Sequence, residues 1–301
     1  MSRTFTEEIK YQWNYGGMYI KLIGINLAVF LVINVALSFA GLMGYSAQLN
    51  THNILNQIFV LHGDLKGLVT HPWGLFTSIF AHFGFYHLLM NMLVLFFVGR
   101  MFEQFFTSKQ LLYTYLLGGV VGGLVQIIAH QLFPGLQNSG IYVVGASGSV
   151  MAIFMAVAFY RPNLTVHLFG ILPVRIIILA GLYLLSDLIN ISKDDQIAHF
   201  AHLGGTLIGY LSVQNLGSPK NIITRLENLF SKSKRPKVKR TKMKVVKNKD
   251  YNTRSDEAYN EFKNIEQEQV DAILEKIKKA GYDSLTKREK EILFEYSRNV
   301  K

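Results

Sequence analysis

The chain has 301 residues, half of them apolar and only 17% charged, with a mean hydropathy of +0.23. That is too apolar for an ordinary water-soluble enzyme of this length and points to membrane embedding. The absence of cysteine excludes disulfides, thiolate metal sites and a cysteine nucleophile. Residues 1–216 carry nine Lys and Arg against seven Asp and Glu, whereas residues 217–301 carry 22 against 13, so an apolar body precedes a basic tail.

Six apolar runs are each about long enough to cross a bilayer core of roughly 30 Å: 18–39, 85–105, 111–133, 144–160, 168–189 and 197–213. The first is read as a retained span rather than a cleaved signal, because Arg3, Glu7, Glu8 and Lys10 precede an overlong apolar stretch without a small-residue cleavage pattern. With the N-terminus inside, the inner side collects Arg3, Lys10, Lys21, Arg100, Lys109, Arg161, Arg175 and the tail. The outer side receives only Lys66 and Lys193, so both termini are expected in the cytoplasm. The first outer connection, 40–84, is too long for a simple loop and holds apolar pieces suited to lying against the membrane. The outer loop 190–196 is short and acidic, with Asp194 and Asp195.

On this topology His87 and Asn91 in the second run, Ser147 in the fourth and His202 in the sixth share one depth near the outer boundary. A serine hydroxyl is a weak nucleophile that needs a base, and the imidazole of His202 suits that task. Ser147 lies in Gly145-Ala146-Ser147-Gly148, at the opening turn of a helix whose free amides and positive end suit an oxyanion. His87 and Asn91, spaced i and i+4, share a helix face and are expected to add oxyanion donors. His199 sits three residues from His202, but no His-Glu-x-x-His pattern and no acidic partner accompanies it, so no metal is expected. Asp187, at the end of the fifth run, is expected to be a surface residue.

The arrangement resembles the rhomboid family of intramembrane serine proteases. The matching elements are His82 and His87-x-x-x-Asn91, Gly99-x-x-x-Glu103, Gly145-Ala146-Ser147-Gly148, and Ala201-His202-x-x-Gly205-x-x-x-Gly209, within about residues 15–215. The resemblance implies an all-α membrane protein with a six-helix rhomboid-like bundle, a nucleophile at Ser147, a base at His202 and oxyanion stabilisation by His87, Asn91 and Gly148. His82, Gly145, Gly205, Gly209 and Glu103 are expected to support the site. It also implies transmembrane protein substrates cut through an acyl-enzyme, without a cofactor, or else a catalytically inactive rhomboid-like protein that binds membrane clients. Two positions depart from the family pattern: Gly74 follows Trp73 where arginine is usual, and Met151 stands where an aromatic ring commonly packs on the base.

Gly118, Gly119, Gly122 and Gly123 form overlapping Gly-x-x-x-Gly patterns that read as packing faces within the chain, and Gly205 and Gly209 as the means of bringing the sixth span to the fourth. Three parts are expected: a membrane domain at 1–216, an amphipathic and basic juxtamembrane linker at 217–255, and a small helical cytoplasmic module at 256–301. Residues 231–249 contain ten Lys and Arg and no acid, so anionic lipid is the expected partner and nucleic acid is not. Val270, Ile273, Leu274 and Ile277 recur at helical spacing up to Gly281, and Thr286 with Glu289 reads as a capping box opening a second helix. Such a module buries little surface alone and is expected to dock on a cytoplasmic partner, a second copy or the inner membrane face.

Overall fold

The computed structural model describes residues 4–44, 54–136, 142–168, 170–192, 197–230 and 256–299. The basic run 231–249 and the acidic pair Asp194 and Asp195 lie outside the described residues. Two compact units are present, Met1–Lys234 and Arg235–Lys301.

The first unit opens with α1 (Phe5–Tyr15), held by a capping box between Thr4 and Glu7, and continues as α2 (Met18–Leu42). The connection after α2 contains α3 (Ile54–Phe59), β1 (Leu61–His62), α4 (Leu65–Thr70) and α5 (Gly74–Thr77), so it is a built structure rather than a simple link. Then follow α6 (Phe85–Phe102), α7 (Ser108–Leu132), β2 (Tyr142–Val143), α8 (Ser147–Tyr160), β3 (Thr165–Leu168), β4 (Leu172–Arg175), α9 (Ile176–Asn190), α10 (His199–Val213) and α11 (Ile222–Phe230). β1 pairs antiparallel with β2, Leu61 opposite Val143, which ties the first connection to the segment leading into α8.

The six apolar runs correspond to α2, α6, α7, α8, α9 and α10, and the molecule is a helical membrane bundle. Helices α2, α6 and α7 are long and apolar enough to cross a membrane, whereas α8 and α9 are shorter. Two boundaries differ from the sequence reading. The fourth run begins as strand β2, and its helix starts only at Ser147. The fifth run opens as the β3–β4 hairpin, because Gly170 takes a φ of 74° and Pro173 has no N–H to donate, so α9 begins at Ile176.

Helix α8 is the centre of the bundle: ten of its residues, from Gly148 to Ala158, are buried, among them Ala152, Ile153, Ala156 and Val157. Glycines let its neighbours come close. A methyl on Gly118 of α7 would overlap the Ala152 side chain, and one on Gly209 of α10 would lie 2.6 Å from the Ala152 carbonyl. Between α7 and α10, a methyl on Gly122 would lie 2.7 Å from the Ala201 carbonyl. The glycine patterns thus serve close packing inside one chain, where dispersion between backbones replaces a hydrophobic drive that lipid cannot supply. Leu31, Val32 and Val35 of α2, Leu93 and Phe97 of α6, and Leu182, Leu185 and Leu188 of α9 are exposed, the expected outward faces of a bundle in lipid.

Polar ties fix the bundle ends. Glu103, just after α6, accepts from the Met18 amide (2.8 Å) and the Ser108 hydroxyl (2.7 Å), capping α2 and binding it to the α6–α7 turn. Asn26 donates to the Tyr115 hydroxyl (3.0 Å), which donates to the Ile79 carbonyl (3.1 Å), linking α2, α7 and the first connection. α11 belongs to this unit: Asn221 is buried and donates to the carbonyls of Ser212 and Gln214 (both 2.7 Å), Ile223 is buried, and Phe230 stacks on Tyr113. The compact body therefore extends past residue 216.

The second unit holds α12 (Asp256–Ala280) and α13 (Lys287–Asn299). Gly281, with φ of 78°, ends α12, and Thr286 and Glu289 form the capping box that opens α13. Lys276 donates to Glu289 (2.8 Å), and Val270, Ile273 and Leu285 are buried. The Glu289 carboxyl, held by Lys276 and then by Thr286, has its pKa drawn down to about 2.

Candidate active site

The first connection positions the start of α8. The Gly145 amide donates to the Ser78 carbonyl (2.9 Å), and the Ala146 amide donates to Nε2 of His82 (3.3 Å). His82 is fully buried, and that burial, together with the neighbouring His87, pushes its pKa down to about 4, so the ring is neutral at physiological pH and Nε2 accepts. Gly145 adopts a φ of 114°, open to glycine at little cost, and the turn delivers Ser147 as the first residue of α8. Ala146 supplies no side-chain cap, which leaves the amides of Ser147 and Gly148 in an uncapped first turn at the positive helix end.

His87, in the first turn of α6, is exposed and lies over Gly145, where a Cβ would sit 2.6 Å from its Nε2. Its ring meets that of His82 edge-on at 5.0 Å. Asn91 is buried, and its amide donates to the His87 carbonyl (2.9 Å) within the same helix. One of the two N–H donors of the Asn91 amide is thus used one turn back on its own backbone.

Helix α10 meets the opening turn of α8. A methyl on Gly148 would lie 3.2 Å from the Ala201 carbonyl, and one on Gly205 would overlap the Gly148 carbonyl. Since Ala201 precedes His202 and Gly148 follows Ser147, this close approach brings the serine and the histidine to the same end of the bundle. Ser147 is half-buried and His202 is buried.

Asp187 is not the surface residue that the sequence suggests. It is 4% exposed, and its Oδ1 lies 2.9 Å from Nδ1 of His202 and 2.8 Å from Nδ1 of His199. Asp187 lies near the end of α9, as the run 168–189 implies, but on the side turned to α10, where His199 and His202 cover it. The available signal was the ionisable group itself, since a charge in an apolar helix normally faces the bundle interior. His199 and His202, one turn apart, present both rings to it. The acidic partner of His199 that the sequence reading did not find is therefore Asp187. The three ligand-type atoms lie within 4.8 Å of one another, close enough for a metal ion to bridge, yet both N···O separations are those of hydrogen bonds. The position four residues after Ser147, Met151, is buried with its Cβ near Gly205, and an aromatic contact to His202 comes instead from Tyr183 of α9, edge-on at 5.8 Å.

The fold defines a polytopic helical membrane protein with Asp187, His199 and His202 buried inside the bundle. The chain belongs to the rhomboid family: it matches the Rhomboid domain over residues 69–218, and residues 254–299 match a family of unknown function. It is 31% identical over 145 residues to the putative rhomboid protease YdcA of Bacillus subtilis, covering 47% of this chain and 68% of that one. It is 28% identical over 193 residues to RHOMBOID-like protein 12, mitochondrial, of Arabidopsis thaliana, covering 60% and 56%, so the chain spans little more than half of that relative. A shorter match, 30% over 82 residues, is to inactive RHOMBOID-like protein 8 of the same plant, covering 27% and 23%.

Proposed function

We propose that this chain is an intramembrane serine endopeptidase that cuts transmembrane proteins near the outer boundary of the cell membrane, with both of its own termini in the cytoplasm. The observation that supports the reading is the close approach of Gly205 and Ala201 to Gly148, which brings the turn of α10 that carries His202 against the opening turn of α8, where Ser147 lies. Ser147 Oγ attacks the carbonyl carbon of the scissile bond while its proton passes to Nε2 of His202, and the new oxyanion is met by the Gly148 amide and the His87 ring. The same proton then goes to the leaving amine, and water, activated by His202, hydrolyses the acyl-enzyme. Asn91 supports the carbonyl of His87.

The length of α8 supports a site below the membrane surface. Its 14 residues rise about 21 Å, short of a bilayer core of roughly 30 Å. With Arg161 at its far end, stacked on Phe105 and Tyr160 as an interfacial anchor, Ser147 lies inside the membrane. Helix-breaking, small residues are the expected cleavage context, because a helical peptide bond is hydrogen-bonded and hidden.

The test is cleavage of a single-span substrate by purified protein in lipid vesicles. Ser147→Ala and His202→Ala each abolish cleavage while leaving the melting temperature near wild type. His87→Ala slows turnover by about 10²–10³-fold, as loss of an oxyanion donor does. Undiminished cleavage in either dyad variant would sink the protease reading and leave a rhomboid-like protein that binds membrane clients without cutting them.

A further inference from the structure

Asp187 is an expensive residue to keep where it is. A carboxylate buried in an apolar bundle loses its hydration and must be compensated by close donors. Here the compensation falls on one oxygen: Oδ1 meets Nδ1 of both His199 and His202, while Oδ2 has no hydrogen-bond partner among the described residues. An ionised carboxylate only accepts, so each ring must donate from Nδ1. That fixes the tautomer of His202 and leaves its Nε2 with a lone pair. The two rings stand nearly perpendicular, 6.2 Å apart, and hold the carboxylate from two directions.

We propose that Asp187 is a positioning residue for His202, with His199 as a second donor that keeps the carboxylate in place. This rests on the hydrolase reading above, and it adds to a Ser147–His202 dyad the third group that orients the base. Asp187 touches no reacting atom. It acts by presenting the Nε2 lone pair to Ser147 and by stabilising the imidazolium that forms when the serine proton arrives. Tyr183 of α9 adds an edge-on ring contact to His202 at 5.8 Å. The alternative, a purely structural tie between α9 and α10, requires only a hydrogen bond and not a charge.

Asp187→Asn separates the two, since the amide keeps the volume and can still bond α10 but presents no negative charge and can donate to Nδ1, favouring the wrong tautomer. In lipid vesicles the full chain is assayed for kcat and KM on a single-span substrate, for the rate at which a fluorophosphonate labels Ser147, and for melting temperature. Asp187→Asn is expected to lower kcat by about 10²-fold or more and to slow labelling in parallel, with KM and melting unchanged. His199→Asn gives a smaller loss of the same kind, and Asp187→Glu, which retains the charge, recovers part of the kcat that Asp187→Asn loses. Wild-type kcat and labelling in Asp187→Asn would overturn the inference while leaving the protease reading intact. Equal losses in Asp187→Asn and Asp187→Glu that follow lowered melting would also overturn it, in favour of a structural tie. A wild-type protein that neither cleaves nor labels would remove the hydrolase reading and this inference with it.

Discussion

His82 holds the turn that leads into Ser147. Its Nε2 accepts from the Ala146 amide only while the ring is neutral, and burial keeps it so by lowering its pKa to about 4. The unfolded chain takes up this proton near pH 6.5, so the folded state loses stability as pH falls from about 6.5 and the loss is complete near pH 4, where the folded ring also protonates. The total is on the order of 3 kcal/mol. Melting temperature should therefore drop over that window, and His82→Gln, which keeps an acceptor but does not titrate, should flatten the drop. An unchanged slope in His82→Gln would assign the acid sensitivity to other groups. At this scale the sequence was informative wherever a backbone feature sits in a local pattern: the positive φ of Gly145 ahead of Ser147, and the close approach at Gly205 after His202. Asp187 was not legible because its partners come from another helix, and the register between α9 and α10 is a tertiary fact.

Elements explain why the site is reachable at all. α8 is enclosed by protein, so on the protease reading a substrate arrives from the side, and α6 and α9 each carry an open residue at one end: Tyr86 at the start of α6 is 80% exposed and Ile189 near the end of α9 is 65% exposed. The exposed His87 lies in the same turn as Tyr86. A transmembrane segment entering between these ends would reach Ser147 without unpacking the glycine-lined contacts of α7, α8 and α10. Cysteines at Tyr86 and Ile189 joined by a short bifunctional reagent should block cleavage of a single-span substrate while small fluorophosphonates still label Ser147. Full-rate cleavage under crosslinking would place the entry route elsewhere. Apolar runs located α2, α6 and α7, which are long and apolar enough to cross a membrane, and the shorter α8 and α9, since lipid demands apolar stretches whatever the tertiary fold. Hydropathy alone could not see that Leu168 to Val174 turns back as a hairpin, because Leu, Ile and Val count equally in a helix and a strand; Gly170 and Pro173 held that information.

For the molecule as a whole, the question is where the membrane body ends. Composition changes at about residue 217, but packing does not: Asn221 and Ile223 are buried, and α11 is fastened to the α10 end by two hydrogen bonds of 2.7 Å. Only beyond Lys234 does the chain become a separate unit, whose two helices are closed by Lys276 and Glu289 and by the buried Val270, Ile273 and Leu285. Truncation after Lys234 should therefore leave cleavage in detergent nearly intact, whereas truncation after Gly217 strips α11 and should lower the melting temperature and the yield of active protein. The basic run 231–249 gives the longer chain a further property. Each Lys or Arg near an anionic surface contributes about 1 kcal/mol of attraction, so cleavage in vesicles should respond to anionic lipid in the full chain and much less after truncation at Lys234. The measurement is the rate ratio between anionic and neutral vesicles for the two proteins, repeated in high salt, where screening should bring the full chain down to the truncated one. If the protein truncated after Lys234 were well folded yet inactive in both lipids, α12 and α13 would have to be counted as part of the catalytic unit, and the division at Lys234 would mark only a boundary of packing.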